Sequence, residues 1–437
     1  RPWFPNPTNA ADKVFAFADA PHLLKLIRNH LLDSGLVVNE QLLTPRTIAD
    51  VINHTSASDV SITFKLNDDH LTVKGAERQK VKLAAQLFSN TTANAIRRCF
   101  SLGLDVYQAT ETADFIQLVN DWFDILNSTL STFVYPGKEP FGHNLATQIK
   151  KLDEITKIMA SPIIPNKKVL EPFQRGVVIT NKALIMLHEY VGERFNMQYI
   201  CTSRLNQDVL EHFFGALRSK GGLNDHPSPK DFKYRMRKYI LARNTEHLSG
   251  TGNVGYDTTE WLSTSDTNVS FIESETKLSN EPLELEEISE EPLTNVLDDL
   301  DGSNFDDMGT LQVDALEYIA GYTIRKLKLR EYESQKNSYT WVDQVSKGML
   351  IKPSSEFLEQ LKKLEAVFYT LNGLEISHCD NIHQRLVERS NNIDLPDVVK
   401  CFFFKCRIYF RIRHLNQRLK KQKWNKEVSK KMLKIKL

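Results

Sequence analysis

The chain has 437 residues, 41% hydrophobic and 25% charged, an ordinary balance for a globular protein of roughly two to four domains. A formal net charge of +1 excludes a uniformly polycationic nucleic-acid binder, so any such contact must come from local patches. Five scattered cysteines (Cys99, Cys201, Cys379, Cys401 and Cys406) argue against a disulfide framework and for a reducing compartment. No run approaches the roughly 20 apolar residues of a membrane span, and no secretory signal is visible.

Residues 1–12, rich in Pro and Asn, read as an irregular lead-in. From Lys13 to Ala18, Val14, Ala16 and Ala18 alternate with Phe15 and Phe17, which predicts a short strand. Asp19 ends it, and Pro21 suits the first turn of a helix over His22–Leu32 with Leu23, Leu26, Ile27 and Leu31 inward. An acid between strand and helix either caps the helix or is held rigidly for catalysis; position alone favours the cap.

Residues 36–199 read as almost wholly helical. Thr44–Ile52 opens on a Thr-Pro capping signature. Val60–Leu66 alternates like a strand, or is a loop packed on helices. Ala76–Ser89, Thr91–Leu102, Glu111–Leu130, Leu145–Met159 and Gly176–Arg194 follow as helices. There is no Walker A loop, and Asn181-Lys182-Ala183-Leu184 lacks the Asp of the ordinary guanine-reading motif.

The stretch Leu205–Gly222 is the most informative. Leu205, Val209, Phe213 and Leu217 form an apolar stripe expected to face the core. Asn206 is the expected N-cap, and Gly221-Gly222 a stop. Asp208 and Glu211 share one side at i, i+3. A helix that buries Val209, Phe213 and Phe214 has little structural use for Glu211, which lies on a wet rim or is held for chemistry.

Asp231–Arg243 predicts a basic helix with Phe232, Tyr234 and Tyr239 among the bases, either a solvated face or a phosphate contact. Residues 250–310 read as a disordered acidic linker; from Asp257 to Asp307, Lys277 is the only base. Val313–Leu327 is an amphipathic helix in which Gly321 permits close packing. Phe357–Leu371 and Pro396–Lys421 are further helices, the last interleaving aromatics and bases. His378, Cys379 and His383, with Cys401 and Cys406, lack the usual paired spacing of a zinc site.

Several of these segments resemble P-element-type transposases, a group that often bears an N-terminal THAP DNA-binding module. The segments are F-x-D-A-P-H-L-x-K-x-x-R-N at 17–29, Q-K-V-K-L-A-x-Q-L-F-S-N-T-T at 79–92 and N-D-W-F-D-x-x-N at 120–127. L-N-Q-D-x-x-E-x-F-F-x-x-x-R-x-K-G-G at 205–222 and Y-I-A-G-Y-x-x-x-K-L at 318–327 complete the set, in family order. The resemblance implies a predominantly α chain with a small α/β part. A partial RNase H-like fold would occupy 1–35 and 200–249, interrupted by a helical GTP-binding insertion domain over 36–199. The acidic linker, 250–310, and a helical basic C-terminal region, 311–437, would follow.

The resemblance further implies that Asp19 and Glu211 are catalytic acids and Mg²⁺ ligands. Two divalent ions about 3.5–4 Å apart would activate the attacking oxygen and stabilise the leaving one. The first family acid is expected upstream of Arg1 or absent from the protein, because before residue 13 the chain offers only Asp12, which is at the wrong place. This fragment alone is therefore not expected to cut or join DNA. GTP, a cofactor for assembly on DNA, would meet Lys65, Lys80, Val81, Ser89, Asp124, Asn127 and Asp208. Asp124 would read guanine, and Lys65 and Lys80 would meet phosphate. The expected partners are double-stranded DNA at transposon ends and target, GTP and further copies of the chain, in the nucleus. The alternatives are a catalytically inactive nuclear descendant that binds DNA or GTP, and a helical scaffold whose acids are all surface residues.

Overall fold

The computed structural model describes residues 1–56, 58–130, 136–221, 227–242, 308–334, 339–346, 350–370 and 381–435. They group into two compact units, one from 1–54 with 65–242 and one from 55–64 with 308–435. Among the described residues, no helix is long and apolar enough to cross a membrane.

The first unit opens on a hairpin. Strands β1 (Trp3–Asn6) and β2 (Asn9–Phe15) pair antiparallel, with Trp3 opposite Phe15. Residues 1–12, expected to be irregular, thus hold all of β1 and the first four residues of β2, and the strand expected over Lys13–Ala18 ends at Phe15. The side chain of Asn6 accepts the Thr8 N–H at 3.0 Å and closes the turn, a local bond that Asn supplies readily. Helix α1 (Ala20–Ser34) follows, and Gly35 at φ 73 ends it.

A second hairpin joins β3 (Leu36–Val38) to β4 (Gln41–Leu43) through Asn39 and Glu40, both at positive φ. It was not expected in a helical stretch. Two left-handed residues are what a two-residue hairpin turn needs, but Glu seldom adopts that conformation and so gives no turn signal.

Helices α2 (Arg46–Thr55), α3 (Val81–Leu87), α4 (Asn90–Ser101), α5 (Ala109–Leu126), α6 (Leu145–Met159) and α7 (Pro172–Phe195) build the helical body. Val60–Leu66 is turn rather than strand. The helix expected over Ala76–Ser89 splits into a 3₁₀ turn (Gly75–Gln79) and α3. It stops because Ser89 turns extended and caps α4 instead, its Oγ accepting the Thr92 N–H at 3.2 Å. Trp122 of α5 is fully buried and donates to Asn181 Oδ1 at 2.9 Å, while Asn181 donates to Thr156 on α6. The Asn181-Lys182 sequence is therefore interior helix that ties three helices together. Helices α8 (Asp208–Ser219) and α9 (Pro229–Ala242) complete the unit, with Phe213 edge-on to Tyr239 at 5.3 Å.

The second unit holds α10 (Thr310–Leu327), α11 (Trp341–Val345), α12 (Ser355–Tyr369), α13 (Ile382–Arg389) and α14 (Asp397–Ile435). Its core is Trp341, Phe357, Phe368, Phe403 and Phe404 with the aliphatic faces of α10 and α12. The expected acidic linker lies outside the described residues as far as residue 307.

Candidate nucleotide and acid site

Asp19 caps α1: its Oδ2 accepts the His22 N–H at 2.9 Å. Its Oδ1 accepts the backbone N–H of Gln207 at 2.8 Å. Gln207 is the residue before α8, and its carbonyl accepts the Glu211 N–H at 3.0 Å. One residue's backbone thus ties together both acids singled out in the sequence. The half-buried carboxylate of Glu211 has no hydrogen bond or ion pair among the described residues. Carboxylate oxygens suit Mg²⁺, and each Asp19 oxygen keeps acceptor capacity beyond its one N–H. Among the described residues there is no cluster of three or more His, Cys, Asp or Glu that could hold a metal.

Helix α8 departs from its expected packing. Leu217 is buried, but Val209 is 69% exposed and Leu210 and Phe214 are exposed too. The stripe packs only towards its C-terminal end, so the turn carrying Asp208 and Glu211 stands at the rim. Asn206 is not the cap; Gln207 holds that position. The Asn206 amide instead donates to Asp208 Oδ2 at 2.8 Å and to Asn127 Oδ1 at 3.2 Å.

That amide links the acid helix to the end of α5. Asp124, 7% exposed, lies in the last turn of α5, and Asn127 is its C-cap. Asn120, one turn earlier, donates to Asp124 Oδ2 at 3.0 Å and accepts the Asn90 N–H at 3.1 Å. Asn90 follows the capping Ser89. The Nζ of Lys138 lies 3.2 Å from Asp124 Oδ1. Asn90, which follows Ser89, is thus linked through Asn120 to Asp124, and Asn127 is linked through Asn206 to Asp208, with Asp124 and Asn127 both at the end of α5.

Lys80 and Val81 begin α3, and Lys65 ends the turn at 62–65. Val81 is buried, whereas the Lys80 ammonium is exposed, 3.8 Å from Glu77. Their backbone is held from α1. Buried Arg28 donates to the carbonyls of Arg78 at 2.5 Å and Lys80 at 3.4 Å, and its burial lowers its pKa to about 10. The donor set fits a guanine nucleotide: a carboxylate for N1–H and N2–H₂, and ammonium groups for phosphate.

Sequence reasoning missed Arg28, Asn120, Lys138 and the bridging role of Asn206. Arg28 and Asn120 lie inside the quoted motifs, so the signal was present; Lys138, in a Pro-Gly-Lys-Glu loop, carried none. On α9, Lys230, Lys233, Arg237 and Lys238 are exposed and form a basic face. Of the residues considered for zinc, His378 and Cys379 lie outside the described residues. His383 Nε2 is 2.9 Å from the Cys401 carbonyl, and burial pushes the Cys406 thiol up to about 12.

Residues 21–133 match the family model "TNP-like, GTP-binding insertion domain". Residues 203–237 match "TNP-like, RNase H C-terminal domain", and residues 252–338 match "87kDa Transposase". The chain is 46% identical over its full length to "Transposable element P transposase" of Drosophila melanogaster, and spans 57% of that protein. It is 25% identical to "DNA transposase THAP9" of Homo sapiens over 49% of this chain and 25% of that one. Among solved structures it resembles the "Drosophila P element transposase strand transfer complex". That likeness has a TM-score of 0.55 and 53% identity over 57% of this chain and 56% of that chain.

Proposed function

The chain is a homologue of P-element-type transposases, and from that premise we propose that it supplies the GTP-binding insertion and the acid-bearing helix of such an enzyme. The reaction is Mg²⁺-dependent cleavage and joining of DNA at transposon ends, with GTP a cofactor of assembly on DNA. The single observation that carries this reading is Asn206. One amide holds Asn127, of the nucleotide set, to Asp208, one helical turn from Glu211.

In this reading Asp19 and Glu211 are the chain's divalent-ion ligands: each Asp19 oxygen accepts one N–H and keeps acceptor capacity, and the Glu211 carboxylate is not spent on another group among the described residues. The ion's chemistry is to activate the attacking oxygen and stabilise the leaving one. Asp19 stands with Glu211 at the backbone of Gln207 and sets where α8 begins. Asp124 and Asn127 meet the base, Val81 and Ser89 line its approach, Lys65 and Lys80 meet phosphate, and Asp208 joins the nucleotide to the acid helix. The basic face of α9, which follows α8, contacts DNA phosphates without reading sequence. In this reading the protein works in the nucleus, as copies assembled on double-stranded DNA.

The test is a titration with fluorescent GTP beside ATP, for the wild-type chain and Asp124→Ala. Selective GTP binding that the variant loses supports the reading. A folded wild type that ignores GTP would move the assignment to a descendant that kept the fold without the cofactor.

A further inference from the structure

Lys138 enters none of the motifs that point to nucleotide binding, yet the fold fixes it with care. The loop that carries it is pinned at Phe141, whose N–H and carbonyl both pair with Ile200, at 2.9 and 2.8 Å. Gln148 of α6 clamps the same loop, accepting the Gly142 N–H at 2.9 Å and donating to the carbonyls of Glu139 and Pro140 at 3.2 Å. A Cβ on Gly142 would meet the Gln198 carbonyl at 2.4 Å, so the backbone there is tightly seated. The result is an ammonium 3.2 Å from Asp124, with the two side chains only 9% and 7% exposed.

A buried ion pair is a costly way to fill space, since apolar residues of like volume serve as well or better. The loop nonetheless holds this one by several hydrogen bonds. Asp124 takes Lys138 on Oδ1 and the Asn120 amide on Oδ2, so carboxylate acceptors stand next to an ammonium donor. Guanine presents the complement: N1–H and N2–H₂ donors beside the O6 acceptor. Adenine offers an N6–H₂ donor where guanine has O6, and would set a donor against the ammonium.

Resting on the assignment of Asp124 as the base reader, we propose that Lys138 is a specificity-determining residue that donates to guanine O6 while Asp124 accepts from N1–H and N2–H₂.

6-Thioguanosine triphosphate replaces O6 by sulfur, a poor acceptor, and leaves N1–H and N2–H₂ in place. The full chain is titrated with GTP, its 6-thio analogue and ATP, as wild type, Lys138→Met, Lys138→Gln and Asp124→Ala. The wild type is expected to prefer GTP over both other nucleotides. Lys138→Met is expected to lose roughly tenfold or more in GTP affinity, the size of a charge-assisted hydrogen bond, and to bind GTP and the analogue alike. Lys138→Gln, which keeps an N–H donor, is expected to recover part of the preference.

A folded Lys138→Met chain with the wild-type ratio of GTP to analogue overturns the proposal and leaves Lys138 a structural partner of Asp124. Should that variant not fold, the wild type decides: equal binding of GTP and its 6-thio analogue overturns the proposal by itself. If wild type does not separate GTP from ATP, or Asp124→Ala binds as wild type does, the base-reading assignment fails instead.

Discussion

Asp19 and Gln207 stand 188 positions apart in the chain, and the Asp19 carboxylate accepts the Gln207 N–H at 2.8 Å. The same carboxylate caps α1. Asp19→Ala therefore removes a helix cap and leaves the N–H at the head of α8 without its acceptor, for an expected loss of about 1–3 kcal/mol. Asp19→Asn keeps one acceptor oxygen and is expected to lose less than half of that. Urea denaturation measures both. Equal midpoints for Ala and wild type would mean that the bond holds nothing.

Helix α8 offers a contrast within one turn-by-turn pattern. Leu217 is 1% exposed and Val209 is 69% exposed, though they share a stripe. Leu217→Ala is expected to cost roughly 2–5 kcal/mol, and Val209→Thr to stay within about 0.5 kcal/mol. Comparable losses at the two positions would return the whole stripe to the core.

That stripe shows what a sequence conveys and what it withholds. Periodicity located α6 over Leu145–Met159 to the residue, because its inward positions Leu152, Ile155 and Met159 are all buried. It also gave α8, but not how far along its length a neighbour reaches, since nothing local encodes a partner 188 positions away. Asp19 was legible both as a cap and as an acid; its second oxygen, spent on Gln207, was not. Lys138 was invisible, because its significance lies in a loop pinned by Ile200 and Gln148. The β3–β4 turn was invisible because Asn39-Glu40 reaches two left-handed conformations without a glycine.

Gly321 was read as a point of close packing, and a Cβ there would meet the backbone carbonyl of Ile351 at 2.2 Å. Alanine in a helix interior normally gains about 1 kcal/mol over glycine. Here backbone must move to make room, so Gly321→Ala is expected to destabilise the second unit by roughly 1–3 kcal/mol. An unchanged or raised unfolding midpoint in thermal denaturation would contradict that approach.

His30 gives the first unit a pH dependence. It stacks on Phe173 at 4.7 Å, and burial lowers its pKa below 6.5, against the pull of Glu171. As pH falls below about 6.5, the unfolded chain takes up this proton first. The contribution is thus whole at pH 7 and above, and is lost as pH falls through 6.5 towards the folded value. His30→Gln is expected to flatten stability between about pH 5.5 and 7, above the range where carboxylates titrate. A variant that keeps the wild-type slope over that window would assign the effect elsewhere.

Arg407 makes the strongest demand on the second unit. It is fully buried, donates to both oxygens of Glu365 at 2.5 and 2.6 Å, and reaches Asp59 Oδ1 at 3.2 Å. Arg411 lies 2.6 Å from the other oxygen of Asp59, and the Phe368 ring lies 4.4 Å from the Arg407 guanidinium. Burial opposes the ionisation of Asp59, and Arg407 and then Arg411 outweigh it, holding its pKa below the ordinary value. Removing Arg407 alone leaves two carboxylates to share Arg411, so Arg407→Met is expected to cost roughly 3–5 kcal/mol. Arg407→Met with Glu365→Leu removes a charge of each sign and leaves Asp59 with Arg411. The double variant is therefore expected to be more stable than Arg407→Met alone, because the loss lies in stranding a charge rather than in lacking a bond. Urea midpoints for the two single variants and the double close the cycle. A double variant as weak as the sum of the singles would mean that Arg407 and Glu365 act independently, against the 2.5 Å contact between them.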